Sequence, residues 1–372
     1  MDKRINTCHI CSYYNNILFD NLVSAQMEYS NPKVFFFKKY GTGNQYNLEY
    51  VDEVECYYNI DRIFFFLKAY KVFKKFKQIY HNMKFDLFFA HSLFANGYIA
   101  YLAKKKYNTP YIVMVQNTDI NVFYKMKPYL SRLGMKILNN ASAVIFASPV
   151  YRDYLISKHV PEKYRKSIYD KSKVIPYGIE DIFFEKSTDE NKEIKEKIHI
   201  ICAGLICKNK NQVNLAKAIE ELNKAGYSIE LSVVGKIDNR KIESRLKKYD
   251  FVSMIPYMDK NNLIREYRKA DFFVLTSHTE TFGLVYAEAL SQGLPIVYSS
   301  GQGFDGQFEE GLVGYSANSK SVESIKKSII KVIDNYDELK KMTKSAALKF
   351  QWEPISNQYK ELYDAVLSKE NG

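Results

Sequence analysis

The chain has 372 residues, 46% of them hydrophobic and 26% charged, with no low-complexity tract. That excludes a disordered chain and is enough to bury the cores of two domains. The net charge of +12 is lopsided: residues 1–178 hold 26 Lys+Arg against 13 Asp+Glu, and the remainder holds 28 against 29. A basic surface confined to one half is expected, suited to nucleic acid, an anionic bilayer or an acidic substrate.

The opening "MDKRINTCHIC" lacks a signal-peptide pattern, which implies a cytoplasmic chain, either free or peripheral on the inner face of the cell membrane. The five cysteines show no paired framework. "CHIC" at 8–11 has the spacing of half a zinc site without a second half, so it reads as part of a strand. Candidate strands of the first half are 5–12, 34–40, 54–58, 85–92, 110–117, 141–148 and 173–179. Between the third and fourth lies "RIFFFLKAYKVFKKFKQIYHNMK" (62–84). As a helix it gathers Phe65, Tyr70, Phe73, Phe76 and Tyr80 on one apolar side, with Lys68, Lys71, Lys74, Lys75 and Lys77 around the rest. Such a helix either lies on an anionic membrane or packs its aromatic residues on a sheet. Lys104–Lys106, Lys125, Lys127, Arg132 and Lys136 add charge. The apolar run 85–103 is broken by Asp86, His91, Ser92 and Asn96, which argues against a membrane-spanning helix.

A polar stretch over 177–197 marks the expected boundary. After it come strands at 198–205, 229–235, 251–257, 271–277, 295–300 and 311–316. Leu215, Ile219 and Leu222 recur at helical spacing, as do Val322, Ile325, Ile329 and Val332. Strand–helix alternation on this scale predicts an α/β chain with two doubly wound, Rossmann-like parallel-sheet domains. In such sheets ligands bind beyond the carboxyl ends of strands, so two domains facing a cleft would place those loops there.

"TSHTETFGLVYAEALSQGLPIVYSS" (276–300) is the most informative stretch. A strand ends at Ser277, a loop carries Glu280, and a helix begins near Gly283 and stops at Gly293 and Pro295. The free N–H groups near 282–285 and the helix dipole favour an anion, naturally a phosphate or diphosphate. Glu288, on the second turn, can accept two hydroxyl hydrogens from a ribose. Glu280 can hold a sugar on the diphosphate's other side. Taken alone, Glu280 is equally an ordinary N-terminal helix acid and Glu288 a solvated helix residue.

The block "SHTETFGLVYAEALSQGLPIV" resembles the E-x7-E motif of the retaining GT-B glycosyltransferases of family 4. "AGLICKNKNQVNLAKAIEEL" resembles that family's strand–loop–helix with a diphosphate-binding lysine. "KVIPYGIED", "VMVQNTDIN" and "FQWEPISNQYKELY" resemble the end of its first domain, its "HGTD" segment and its returning terminal helix. "GQGFDGQFEEGLVGY" is similar to members that build bacterial cell-surface polysaccharides. The resemblance implies a GT-B fold, with an acceptor domain of residues 1–178 plus 353–372 and a donor domain of 179–352.

It also implies roles. Glu280 would contact the donor sugar and Glu288 the ribose. The backbone at Thr281, Phe282, Gly283 and Leu284 would hold the diphosphate, with Gly204, Lys208 and Lys210 beside it. Gln116 stands where the family has a histidine, and His91 and His278 are further candidates for work in the cleft. The family's Gly-Arg is Gly204–Leu205 here, so Lys208 or Arg240 would have to replace the arginine. The first loop, "YYNNILFDN", lacks the family's glycines.

The implied reaction is transfer of a sugar, with retention, from a nucleoside diphosphate donor, most naturally a UDP-sugar, to a hydroxyl of a glycan or lipid-linked acceptor. Neither a bound cofactor nor a metal is expected. Two other readings are a GT-B sugar-nucleotide epimerase or hydrolase, which would need an acid/base set, and a basic nucleic-acid-binding protein. The second leaves the glutamates of the acidic half unexplained, and no nucleic acid is expected as a partner.

Overall fold

A computed structural model describes residues 4–14, 17–43, 46, 48–124, 128–185 and 196–371. Asn15, Asn16, Lys125, Lys127 and residues 186–195 of the expected boundary stretch lie outside the described residues. The chain divides into two compact units, one of residues 1–147, 151–176 and 353–372, the other of 148–150 and 177–352.

The first unit holds β1 (Ile5–Cys11), α1 (Ile17–Ser24), β2 (Ser30–Lys39), β3 (Val51–Tyr57), α2 (Phe65–Ile79), β4 (Leu87–Ala90), α3 (Ala95–Tyr107) and β5 (Tyr111–Val115). It continues with α4 (Ser131–Asn140), β6 (Ala143–Phe146), α5 (Pro149–His159), α6 (Glu162–Asp170) and β7 (Ser172–Val174). The second unit holds α7 (Ile182–Glu185), β8 (Lys197–Ala203), α8 (Gln212–Lys224), β9 (Ser228–Val234), α9 (Arg240–Leu246), β10 (Val252–Ile255), α10 (Lys260–Lys269) and β11 (Phe272–Val274). After these come α11 (Leu284–Ser291), β12 (Ile296–Ser299), β13 (Gly314–Ala317), α12 (Val322–Asp334) and α13 (Tyr336–Ala347), and finally α14 (Trp352–Asn371).

Both sheets are parallel throughout, in the orders β3-β2-β1-β4-β5-β6-β7 and β10-β9-β8-β11-β12-β13. The central strands "LFFA", "YIVMV", "AVIF" and "FFV" are buried at every residue, as strands covered by helices on both faces must be. The outer strands β3 and β10 are only partly covered. Each expected strand forms, but several shift at the ends. β2 begins four residues early, through Pro32, and β4 and β11 are trimmed to their apolar centres.

The helices follow the apolar spacing. Leu215, Ile219 and Leu222 are buried on α8, and Ile325, Ile329 and Val332 on α12. On α2 the expected face is divided. Phe76 and Tyr80 are buried against Phe35 and Phe88, but Tyr70 is 66% exposed. Tyr70 lies six residues before Phe76, about 240° away around the helix, so it points off the buried stripe. The terminal helix packs within the first unit: the Tyr363 hydroxyl donates to Gln26 at 2.6 Å, and the Tyr359 ring lies 5.8 Å from that of Phe89.

In each sheet the strand order reverses direction beside the first strand, between β1 and β4 and between β8 and β11. Loops leaving the carboxyl ends of those strands frame the natural ligand position of an open parallel sheet.

Candidate functional site

At the β8/β11 reversal, two loops are tied together by asparagines. Asn209 donates from its side chain to the Thr279 carbonyl at 2.8 Å and accepts from the Thr279 N–H at 3.0 Å. Asn211, in the left-handed region at φ 62°, donates to the carbonyls of Thr276 (3.0 Å) and Ser319 (2.7 Å). Asparagine tolerates that backbone conformation better than most residues, which suits it to this junction. The His278 N–H donates to the Asn209 carbonyl, and its ring meets Ser319 at 3.3 Å, so His278 serves the loop junction.

This frame brings Lys210 against Glu280. The ammonium lies 2.6 Å from the carboxylate, and the two side chains are 21% and 12% exposed. Ser277 donates to the same carboxylate oxygen at 3.2 Å. The Glu280 backbone is also held, its N–H by the Gln302 side chain (3.1 Å) and its carbonyl by the Gly303 N–H (3.0 Å). Gly303 is required there, because an added methyl would collide with the Thr281 carbonyl. Lys208 is exposed in the preceding turn and Arg240 is exposed at the start of α9. Neither is bonded to Glu280 among the described residues. Leu205, where the resemblance expects arginine, is 41% exposed.

The Glu280 loop runs into α11 through Gly283, at φ 86°. A methyl at Gly283 would strike the Tyr286 ring and press on the Glu280 stem, so only glycine fits. Among the described residues, no acceptor meets the backbone N–H groups of Thr281 through Val285, and α11 has no side-chain cap. Phe282 itself is an anchor. Its ring is 2% exposed and packs with Tyr177, Phe304 and Phe350 at 5.7–5.9 Å. Tyr286 is pinned by a 2.6 Å hydrogen bond to the Leu275 carbonyl. Thr281 is exposed, and Gly204 lies under the Lys210 stem.

Glu288 is half-buried on the second turn of α11, where the Tyr267 hydroxyl donates to it at 3.3 Å. Burial pushes its carboxyl up to about 7, against the opposing pull of Tyr267 and nearby Lys260. Lys260 is itself paired with Glu180.

In the first unit the β1/β4 reversal gathers other residues. His91 is 2% exposed, and its Nε2 lies 3.1 Å from Nδ1 of the fully buried His9. Burial holds His9 down to about 3 and His91 well below the usual imidazole value, so both stay neutral. His91 is thus packed among Phe19, Phe89 and His9, its ring withdrawn from solvent. Gln116 donates to the His91 carbonyl at 3.1 Å. Asp119 organises this corner, accepting from the N–H groups of Leu93, Phe94 and Gln116 at 2.8–3.2 Å. Burial raises its carboxyl to about 6.

The residues brought together are therefore Lys210, Glu280 and the 281–285 backbone in one unit, and His91 with Gln116 in the other. Asn209, Asn211, Gln302, Gly303, Tyr267 and Asp119 escape a reading of the sequence alone. Only Asn211 and Asp119 carried a usable local signal, as an asparagine beside a turn and an acid closing a "QNTD" loop.

Two family models match in tandem: "Glycosyltransferase Family 4" over residues 42–181 and "Glycosyl transferases group 1" over 183–349. Among curated proteins, the alpha-monoglucosyldiacylglycerol synthase of Acholeplasma laidlawii is 24% identical over 324 residues, covering 80% of each chain. Among solved structures, the lipopolysaccharide outer core galactosyltransferase WaaB superposes with a TM-score of 0.78 at 13% identity, over 97% of this chain and 99% of that one. The Anabaena HepE protein in complex with UDP and glucose gives 0.69 at 14% identity, over 97% and 100%. Two parallel α/β units, tandem family matches over both and this shared fold place the chain among the GT-B glycosyltransferases of the family 4 type.

Proposed function

We propose that the chain moves a hexose, with retention, from a nucleoside diphosphate sugar to a hydroxyl of a lipid-linked or surface-glycan acceptor, at the cytoplasmic face of a membrane. The observation that carries this is the meeting of Lys210 and Glu280 at the mouth of α11, beside five N–H groups that meet no acceptor among the described residues. A diphosphate there receives hydrogen bonds from the amides and charge from Lys210. It competes with Glu280 for the ammonium, and the carboxylate so freed can accept from the donor sugar's hydroxyls. Glu288 accepts from the ribose diol.

The C1–O bond to the phosphate breaks and a C1–O bond to the acceptor forms on the same face. The acceptor's proton passes to the departing phosphate oxygen. Amides and Lys210 stabilise the charge growing on that leaving group, the role with the largest effect on rate. No resident cofactor takes part in this scheme. Uridine is the favoured base, in keeping with HepE, whose complex holds UDP and glucose. The acceptor class follows the Acholeplasma synthase and WaaB, whose names are those of a glycolipid synthase and a lipopolysaccharide galactosyltransferase.

The test is a thermal-shift panel of UDP, GDP, ADP and their sugars, followed by transfer assays on Glu280→Ala. One diphosphate nucleotide should raise the melting temperature. The variant should fold, bind the free nucleotide and lose nearly all transfer. Normal turnover by Glu280→Ala would remove Glu280 from the reaction.

A further inference from the structure

The geometry points to a second small-molecule site in the first unit, at the amino end of β4. It is a cavity that takes a choline phosphate group, with the quaternary ammonium inward and the phosphate at the rim. The cavity measures about 580 Å³, within the range of small-ligand sites. It lies where α2 and α3 end beside the start of β4, opposite the carboxyl-end loops that carry His91 and Gln116.

Its wall is aromatic. The rings of Phe76, Tyr80, Phe85, Phe88 and Tyr107 follow one another at centroid distances of 5.1–6.4 Å. Phe76, Tyr80 and Phe88 are core residues, and the half-buried Phe85 and Tyr107 form the accessible part of the wall. The Tyr80 hydroxyl donates to Asp52 at 2.6 Å, and Thr109 donates to the Phe85 carbonyl at 3.2 Å. These bonds fix the wall before any ligand arrives, which lowers the cost of binding.

Charge selects the occupant. Asp86 lines the cavity and is half-buried. Its carboxylate accepts from the Asn6 N–H at 2.8 Å, and no cation pairs with it among the described residues. A partly desolvated carboxylate without a counter-ion favours a cation. The carbonyl ends of α2 and α3 add partial negative charge. Aromatic faces attract a quaternary ammonium, whereas a primary ammonium would give up strong hydration to enter. The rim has the opposite sign. Lys84 and Asn82 stand exposed there and offer an ammonium and an amide to a phosphate. A plain cation would meet Lys84 and the basic excess of this half, and a plain anion would meet Asp86. A zwitterion entering with its cation first satisfies both.

The experiment is calorimetric titration of the full chain with choline, phosphocholine and inorganic phosphate, beside flotation with phosphatidylcholine vesicles. Phosphocholine should bind, choline more weakly, and phosphate alone not measurably. Tyr107→Leu should weaken phosphocholine and choline alike, by about tenfold. Asp86→Asn should do the same. Lys84→Gln should weaken phosphocholine to the level of choline and leave choline unchanged. All three should keep the wild-type melting temperature and nucleotide-induced shift, so the site stands or falls apart from the donor reading. Flotation that free phosphocholine competes away would support the site with a lipid headgroup as the source. Binding without flotation would support it with a soluble or glycan-borne source. No binding of choline or phosphocholine at millimolar concentration would overturn the site. So would inorganic phosphate binding as tightly as phosphocholine, or Tyr107→Leu and Asp86→Asn binding as wild type does.

Discussion

Glu288 carries a cost that its proposed role explains. Its carboxyl is raised to about 7, above the ordinary value near 4.5, because burial disfavours the charge. The folded chain therefore holds this proton more tightly than the unfolded one. The stabilising contribution is full below about 4.5 and is lost as pH rises through about 7. Glu288→Gln should accordingly gain stability relative to wild type as pH rises from 5 to 8, a difference read by denaturant titration. Accepting a ribose diol needs the carboxylate, so wild-type affinity for a nucleotide sugar should fall about tenfold between pH 8 and pH 6. The Gln variant should bind more weakly at pH 8 and show little of that slope. Phe282 has the opposite character. Its backbone faces the proposed diphosphate, but its ring is core, and Phe282→Ala should destabilise by about 3–5 kcal/mol, seen as a lower urea midpoint.

At the scale of elements, the strands were legible because parallel strands buried on both faces must be almost continuously apolar. "YIVMV" and "FFV" could be little else. The E-x7-E loop and helix were legible because Gly283, Gly293 and Pro295 punctuate them. What could not be read depends on contacts distant in the chain. Nothing local says that Gln302 and Gly303 hold the Glu280 backbone, or that His9 would sequester His91. Nor does helical spacing say how much of a crowded aromatic face the sheet will cover: Tyr70, grouped with that face, lies outward. The 301–303 loop acts as a positioning element. Gly303→Ala should displace the Glu280 loop and lower kcat about 10²-fold, with a smaller effect on nucleotide affinity, checked by steady-state kinetics beside calorimetry.

For the whole molecule, the charge asymmetry and the two sheets tell one story. The basic excess lies in the first unit, and the nearly neutral remainder carries the paired lysine and glutamate at α11. The central claim is that a diphosphate sits on the amides of residues 281–285 and draws Lys210 from Glu280. The most direct measurement is a crystal structure with whichever nucleoside diphosphate binds tightest. The account predicts phosphate oxygens within hydrogen-bond distance of those amides and of the Lys210 ammonium, with Glu288 on the ribose. A nucleotide bound elsewhere, with the Lys210–Glu280 pair intact and α11 uncapped, would contradict it.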